Sequence, residues 1–148
     1  MTKTLGNIKI VIADDHEIFR DGFRLMISRQ DDIQLLGEAG DGRELIDLVQ
    51  TLKPDVVITD IKMPRMDGIE ATRLIKEEWP SVLVIGLSVH SAPQVGDTMR
   101  EAGAFSVLTK EAAVDDLHRT IQQALNSHPG GGGRTGRQET GDAGAALR

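Results

Sequence analysis

The most constraining feature of this chain is where its hydrophobic runs stop. Ile8-Lys9-Ile10-Val11-Ile12-Ala13 halts at Asp14 and Asp15, and Val56-Val57-Ile58-Thr59 halts at Asp60. Val82-Leu83-Val84-Ile85-Gly86-Leu87 ends at Ser88, and Phe105-Ser106-Val107-Leu108-Thr109 ends at Lys110. Short β-branched runs of this kind alternate with longer stretches of helical period, the signature of repeated strand-helix units and a parallel sheet. Strand ends on one rim of a parallel sheet converge, so three acids, one hydroxyl and one cation are expected to share a pocket. Asp67 is a fourth acid, and it belongs to a turn.

The pattern predicts strands over residues 7–13, 33–39, 55–60, 82–88 and 104–109. Phe19, Phe23 and Ile27 recur at four-residue spacing in a first helix, and Leu45, Leu48, Val49 and Leu52 form the stripe of a second, which Lys53-Pro54 ends. Asp67 before Gly68, with Glu70 three places on, reads as a capping-box-like start of a third helix that runs toward Trp79 and halts at Pro80. Its expected buried side is Ile69, Thr72, Ile75 and Trp79. A fourth helix over 93–102 contains Gly96 and few large apolar residues, with Gly103 as its terminator. Val114, Leu117, Ile121 and Leu125 mark a fifth, ending near Asn126. From His128 onward a Pro-Gly-Gly-Gly-Gly run leads into sequence without hydrophobic periodicity. Residues 1–127 are therefore expected to form one α/β domain, and 128–148 a flexible glycine-rich tail with no output domain.

Right-handed crossovers cover both sheet faces, and for five strands they favour the order 2-1-3-4-5. That order sets Asp14 and Asp15 opposite Asp60 at the switch point, where ligands of open parallel sheets bind. Packing three carboxylates together is costly, so either a proton is retained or a hard cation neutralises them, and magnesium suits an all-oxygen site. One carboxylate can then attack a phosphoryl group and form an acyl phosphate. Asp60 is central and is the candidate nucleophile, while Lys110 can pair with one phosphate oxygen and the Ser88 hydroxyl can donate to another. Each residue alone has a plainer use: Asp15 as a helix N-cap, Asp60 as a strand end before a turn, Ser88 and Lys110 as solvated surface. Mutually compatible groups at several separate strand ends favour the joint reading.

Composition narrows the function classes. A chain of 148 residues is one domain's worth, and its formal charge of −6 opposes general affinity for nucleic acid or anionic membranes. The absence of cysteine fits a reducing cytoplasm and excludes thiolate metal sites. The apolar run 8–13 breaks at two aspartates, unlike a secretory signal, and no segment approaches a membrane span.

With these residues in place, the chain closely resembles the receiver domain of two-component response regulators, of the kind that precedes a LuxR-type DNA-binding domain. The likeness spans residues 8–125. It rests on Val11-Ile12-Ala13-Asp14-Asp15-His16, on Asp60-Ile61-Lys62-Met63-Pro64-Arg65-Met66-Asp67-Gly68, and on Leu108-Thr109-Lys110. The resemblance implies a flavodoxin-like fold with Asp60 as phosphoacceptor. It also implies Mg2+ held by Asp14, Asp15 and Asp60 with the Lys62 backbone carbonyl, and Ser88 and Lys110 reading the phosphorylated state. A sensor histidine kinase would be the donor, and the surface of helix four, strand five and helix five would carry the change to a downstream protein. The family's switch aromatic, three residues before the lysine, is Val107 here, so helix four, loosened by Gly96, is expected to carry more of the change. Lys62 and His90 lie where the family tunes acyl-phosphate hydrolysis. No helix-turn-helix pattern follows helix five, so a free-standing receiver or a regulator that has lost its output domain is expected rather than direct DNA binding. The resemblance is also compatible with a homodimer.

Three rival functions fit the sequence less well. An aspartate-nucleophile phosphatase would want a second aspartate two residues after Asp60 as general acid, where this chain has Lys62. A flavin or nucleotide carrier would want a Gly, Ser or Thr-rich cradle after strand one, where Asp14-Asp15-His16-Glu17 repels a bare phosphate. A DNA-binding tail would need more than Arg134, Arg137 and Arg148 offset by Glu139 and Asp142.

Overall fold

Runs in which nearly every side chain is apolar cannot turn one face to water, so they become strands covered on both sides. In the computed structural model, which describes residues 7–89 and 93–127, these strands are β1 (Ile8–Ala13), β2 (Ile33–Ala39), β3 (Val56–Asp60), β4 (Leu83–Ser88) and β5 (Ser106–Thr109). The expectations placed on His90 and on residues 128–148 lie outside the described residues. All neighbours pair in parallel in the order β2-β1-β3-β4-β5, the expected topology. The helices are α1 (Glu17–Ser28), α2 (Gly42–Leu52), α3 (Gly68–Glu78), α4 (Pro93–Ala102) and α5 (Lys110–Ser127).

The two-residue period of a strand divides the core into two halves. Ile10, Ile12, Ile58 and Ile85 face α1 and α5, meeting Phe23, Ile27, Leu117 and Ile121. Val11, Val57 and Val84 face the other way, against Leu45, Val49, Ile75 and Met99. Central strand β3 is buried along its whole length, so its last residue, Asp60, can meet only what the rim offers.

Local chemistry sets the helix ends. Asp41 Oδ1 accepts from the Glu44 amide at 2.8 Å, Asp67 Oδ1 from the Glu70 amide at 2.9 Å, and Thr109 Oγ1 from the Ala112 amide at 3.0 Å. Helix α2 closes on Lys53 in the left-handed region (φ 51) before Pro54, and α4 ends at Gly103 (φ 121), as expected for a terminator.

Two helix faces depart from the expected stripes. In α5, Val114 is 63% exposed, and Ala113, Leu117, Thr120, Ile121 and Ala124 form the buried side. Small residues let that helix approach the sheet closely, and a pattern of large residues does not register them. In α3, Ala71 joins Thr72 and Ile75 inside, while Ile69 and Trp79 are half-buried. Strand β5 starts at Ser106 rather than at residue 104, although the Phe105 amide already bonds the Val84 carbonyl at 2.8 Å.

Candidate functional site

Ala13 and Thr59 are partners in register, so the next residues, Asp14 and Asp60, leave β1 and β3 side by side. Asp14 is fully buried and Asp60 is 4% exposed, whereas Asp15 turns partly outward. Lys110, at the junction of β5 and α5, enters the same space. Its Nζ lies 2.7 Å from Asp14 Oδ2 and 3.3 Å from Asp60 Oδ2, and 4.6 Å from the centre of the Phe19 ring. The aromatic face of α1 thus helps hold the ammonium between the two carboxylates.

Each carboxylate is further oriented by backbone. Asp60 Oδ1 accepts from the Ile61 amide at 2.8 Å, which leaves Oδ2 facing Lys110. Asp14 Oδ1 accepts from the His16 amide at 2.8 Å and lies 3.0 Å from His16 Nδ1. Burial, together with the charge of Asp14, pushes the Asp60 carboxyl above its ordinary value, against the opposing pull of Lys110. Burial alone would lower the Lys110 ammonium, but its contacts with Asp14 and Asp60 outweigh that and raise it.

The residues present fit a divalent cation. Asp14 Oδ2 is buried and is matched by the charge of the Lys110 ammonium 2.7 Å away rather than by a backbone donor. Ligand atoms from Asp14, Asp15, His16 and Asp60 all lie within 4.8 Å of one another. Oxygen-rich and acidic, with one ammonium facing three carboxylates, this donor set suits a hard ion such as magnesium.

Asp14, Asp15, Asp60 and Lys110 therefore share one cluster. Ser88 ends β4 opposite Thr109 and one residue beyond Leu87, the register partner of Asp60, and is half-buried. Lys62 is exposed two residues after Asp60. Asp67 stands apart as the cap of α3, and the N-cap of α1 is His16 rather than Asp15. His16 was not singled out from the sequence as a site residue. An exposed polar side chain after two aspartates reads as loop, and only the turn into α1 aims its ring at the acids.

A second feature invisible in the sequence is the strap that fixes the loop after Asp60. Arg65, in the left-handed region (φ 66), donates through Nε at 2.9 Å and Nη2 at 2.5 Å to Asp41 Oδ2. The Gly42 amide bonds the Met66 carbonyl at 3.0 Å, and a Cβ at Gly42 would lie 2.2 Å from that oxygen. The Glu44 amide first, and Arg65 second, hold the Asp41 carboxyl below its ordinary value despite burial. Because the folded value is depressed, this stabilisation is complete above about pH 4 and is lost as the pH falls through the folded value. Asp41→Asn keeps a capping side chain, and with Arg65 70% exposed it is expected to cost less than about 1 kcal/mol at neutral pH. Unfolding curves should show this difference shrinking as the pH falls through the depressed folded value; a gap that stays constant with falling pH would mean that the carboxylate charge is not its source.

Residues 10–122 match the family described as response regulator receiver domain. The transcriptional regulatory protein DegU of Brevibacillus brevis is 34% identical over 117 residues, which are 79% of this chain and 50% of that protein. The uncharacterized transcriptional regulatory protein YhcZ of Bacillus subtilis (strain 168) is 37% identical over 115 residues, 78% of this chain and 54% of that one. Among solved structures, a two-component response regulator of the LuxR family from Aurantimonas sp. SI85-9A1 superposes with a TM-score of 0.78 at 30% identity, covering 83% of this chain and 88% of that one. The chain spans about half the length of the curated relatives it matches.

Proposed function

The chain belongs to the response regulator receiver domain family, and from that premise we propose that it is a phosphorylation-dependent switch whose Asp60 accepts a phosphoryl group from a sensor histidine kinase. One observation carries the reading. A nearly buried carboxylate at the end of the central strand has one oxygen tied to the Ile61 amide and the other turned toward Lys110 and the neighbouring acids. Asp14, Asp15 and Asp60, with the Lys62 backbone carbonyl, would hold Mg2+, which when bound neutralises the acids and polarises the incoming phosphoryl group. An Asp60 oxygen attacks phosphorus while the bond to the kinase imidazole nitrogen breaks, the electron pair leaving with that nitrogen. Lys110, kept cationic by its two carboxylate neighbours, pairs with a phosphoryl oxygen, and the Ser88 hydroxyl donates to another. The protein is thus a phosphoacceptor that assists its own phosphorylation and dephosphorylation, not a turnover enzyme.

Incubation with Mg2+ and acetyl phosphate, followed by mapping of the modified residue, tests this. Phosphate is expected on Asp60 alone, absent in Asp60→Asn, with incorporation slowed by about 100-fold in Asp15→Asn. Modification elsewhere, or an equal rate without a divalent ion, would remove the proposal.

The output is proposed to pass through α4, β5 and α5 to a partner protein in the cytoplasm. All five helices of the described residues lie on the sheet, and none of them is long and apolar enough to cross a membrane. Gly86 lets Met99 and Val107 close on the back of β4, where an added Cβ would meet Met99 Cε at 2.7 Å and Val107 Cγ2 at 3.4 Å, whereas a Cβ at Gly96 in α4 would reach Val107 Cβ only at 4.0 Å. With no aromatic there to rotate, Ser88 and Lys110 would pull on β4 and β5 directly, and α4 would shift with them. Amide exchange in residues 93–109 is expected to change by at least about threefold on phosphorylation. Change confined to residues 14–20 would contradict this route.

A further inference from the structure

Asp14 leaves β1 held at three points, and one of them comes from α1 rather than from the rim. Its amide donates to the Ala39 carbonyl at 2.9 Å, and its Oδ1 accepts from the His16 amide at 2.8 Å. Its carbonyl accepts from Nη1 of Arg20, six residues on, at 2.5 Å. That carbonyl belongs to the planar peptide joining Asp14 to Asp15, so its direction sets both where the Asp15 side chain departs and where the chain delivers the His16 amide. A single guanidinium contact therefore bears on two acids of the cluster.

Arg20 is not placed as an ordinary brace between α1 and β2. Arg24, one turn further along α1, fills that role, its Nε and Nη2 donating to the Glu38 carboxylate at 2.6 and 3.0 Å. Arg20 Nε lies 3.5 Å from Glu38 Oε1 and, although buried, makes no aligned hydrogen bond. The guanidinium has turned away from the fork-on-carboxylate fit and toward the Asp14 carbonyl. Gly40 leaves room for this, since a Cβ there would stand 3.3 Å from Arg20 Nη1. Glu38 offsets the charge, so what Arg20 adds at the rim is orientation.

We propose that Arg20 is a positioning residue for the divalent ion, fixing the peptide between Asp14 and Asp15 so that the two carboxylates stand as Mg2+ needs them. The inference rests on these acids being ligands of Mg2+, as the proposed function holds. Arg20 reaches the carbonyl and not the carboxylates, so it governs how tightly the ion is held rather than how fast phosphate is transferred once the ion is bound.

Mg2+ affinity is measured by calorimetry on the full chain, and incorporation from acetyl phosphate is followed at saturating Mg2+, in wild type, Arg20→Met, Arg20→Lys and Arg24→Met, with folding checked by circular dichroism. Arg20→Met is expected to bind Mg2+ at least about tenfold more weakly, while its incorporation rate at saturation stays within about threefold of wild type. Arg20→Lys, which still offers a donor and a charge, should recover to within about threefold of wild-type affinity. Arg24→Met removes the brace without touching Asp14 and should also bind within about threefold. Should Arg20→Met fail to fold, Arg20→Gln, polar but too short to span to the carbonyl, is held to the same tenfold loss. Wild-type affinity in the folded Met or Gln variant overturns the inference, and so does tighter binding, which would make Arg20 a repelling charge. Equal losses in Arg20→Met and Arg24→Met also overturn it, being the mark of a general brace. A wild type that binds no Mg2+ at all would overturn the proposed function, and this inference with it.

Discussion

Gly68→Ala is expected to destabilise the fold by about 3 kcal/mol or more and to abolish phosphate acceptance at Asp60 together. The reason is a contact with backbone rather than with a side chain that could move away. A Cβ built on Gly68 would stand 2.1 Å from the Asp60 carbonyl oxygen and 3.0 Å from the Ile61 Cα, while the Gly68 amide bonds the Ile61 carbonyl at 2.7 Å. Relief requires α3 to retreat from the sheet or the end of β3 to turn, and the β3 end carries the candidate phosphoacceptor. Helix propensity would favour alanine at this first position of α3, but by only about 1 kcal/mol, too little to offset the clash. Urea denaturation should show a lower midpoint with an unchanged slope, as for a loss of native stability alone. A variant as stable as wild type that still accepts phosphate would mean that the turn after Asp60 is far more compliant than its hydrogen bonds imply.

How much could be read in advance follows from what each signal depends on. The sheet order and the meeting of Asp14, Asp15, Asp60 and Lys110 were legible because strands buried on both faces must be apolar throughout, so the first charged residue marks the rim. The cap at Asp67 was legible because it depends on three neighbouring residues alone. Contacts between distant segments were not. Arg65 and Asp41 are 24 residues apart, and nothing local marks either as the other's partner. The buried side of α5 was displaced toward Val114 because Ala113, Thr120 and Ala124 are too small or too polar to show in a hydrophobic pattern. His16 was passed over for a related reason: its chemistry depends on where the turn after Asp15 points the ring, which spacing does not specify.

Lys110→Met separates the two things a cation does at this rim. Methionine keeps an apolar stem beside Phe19 but leaves Asp14, with no exposure, and Asp60, at 4%, facing each other without the ammonium. Removing one partner of a buried ionic group costs about 3–5 kcal/mol, mostly through the charge left behind, so the metal-free variant should melt far below wild type. If the carboxylates are ligands of a divalent ion, Mg2+ should restore much of that loss. Bound at about 100 times its dissociation constant, an ion that prefers the folded state adds about 2.7 kcal/mol. Freed from competition with Nζ, which lies 2.7 Å from Asp14, the variant should also bind Mg2+ more tightly than wild type and gain more stability from it. Phosphate incorporation should nevertheless remain lower by about 100-fold even at saturating Mg2+, because the ion substitutes for the ammonium's charge among the acids but not for its contact with the transferred group. Equal stabilisation of both proteins by Mg2+ would mean that the ion binds away from Asp14 and Asp60. Recovery of full phosphorylation along with stability would mean that Lys110 serves only to hold the acids together.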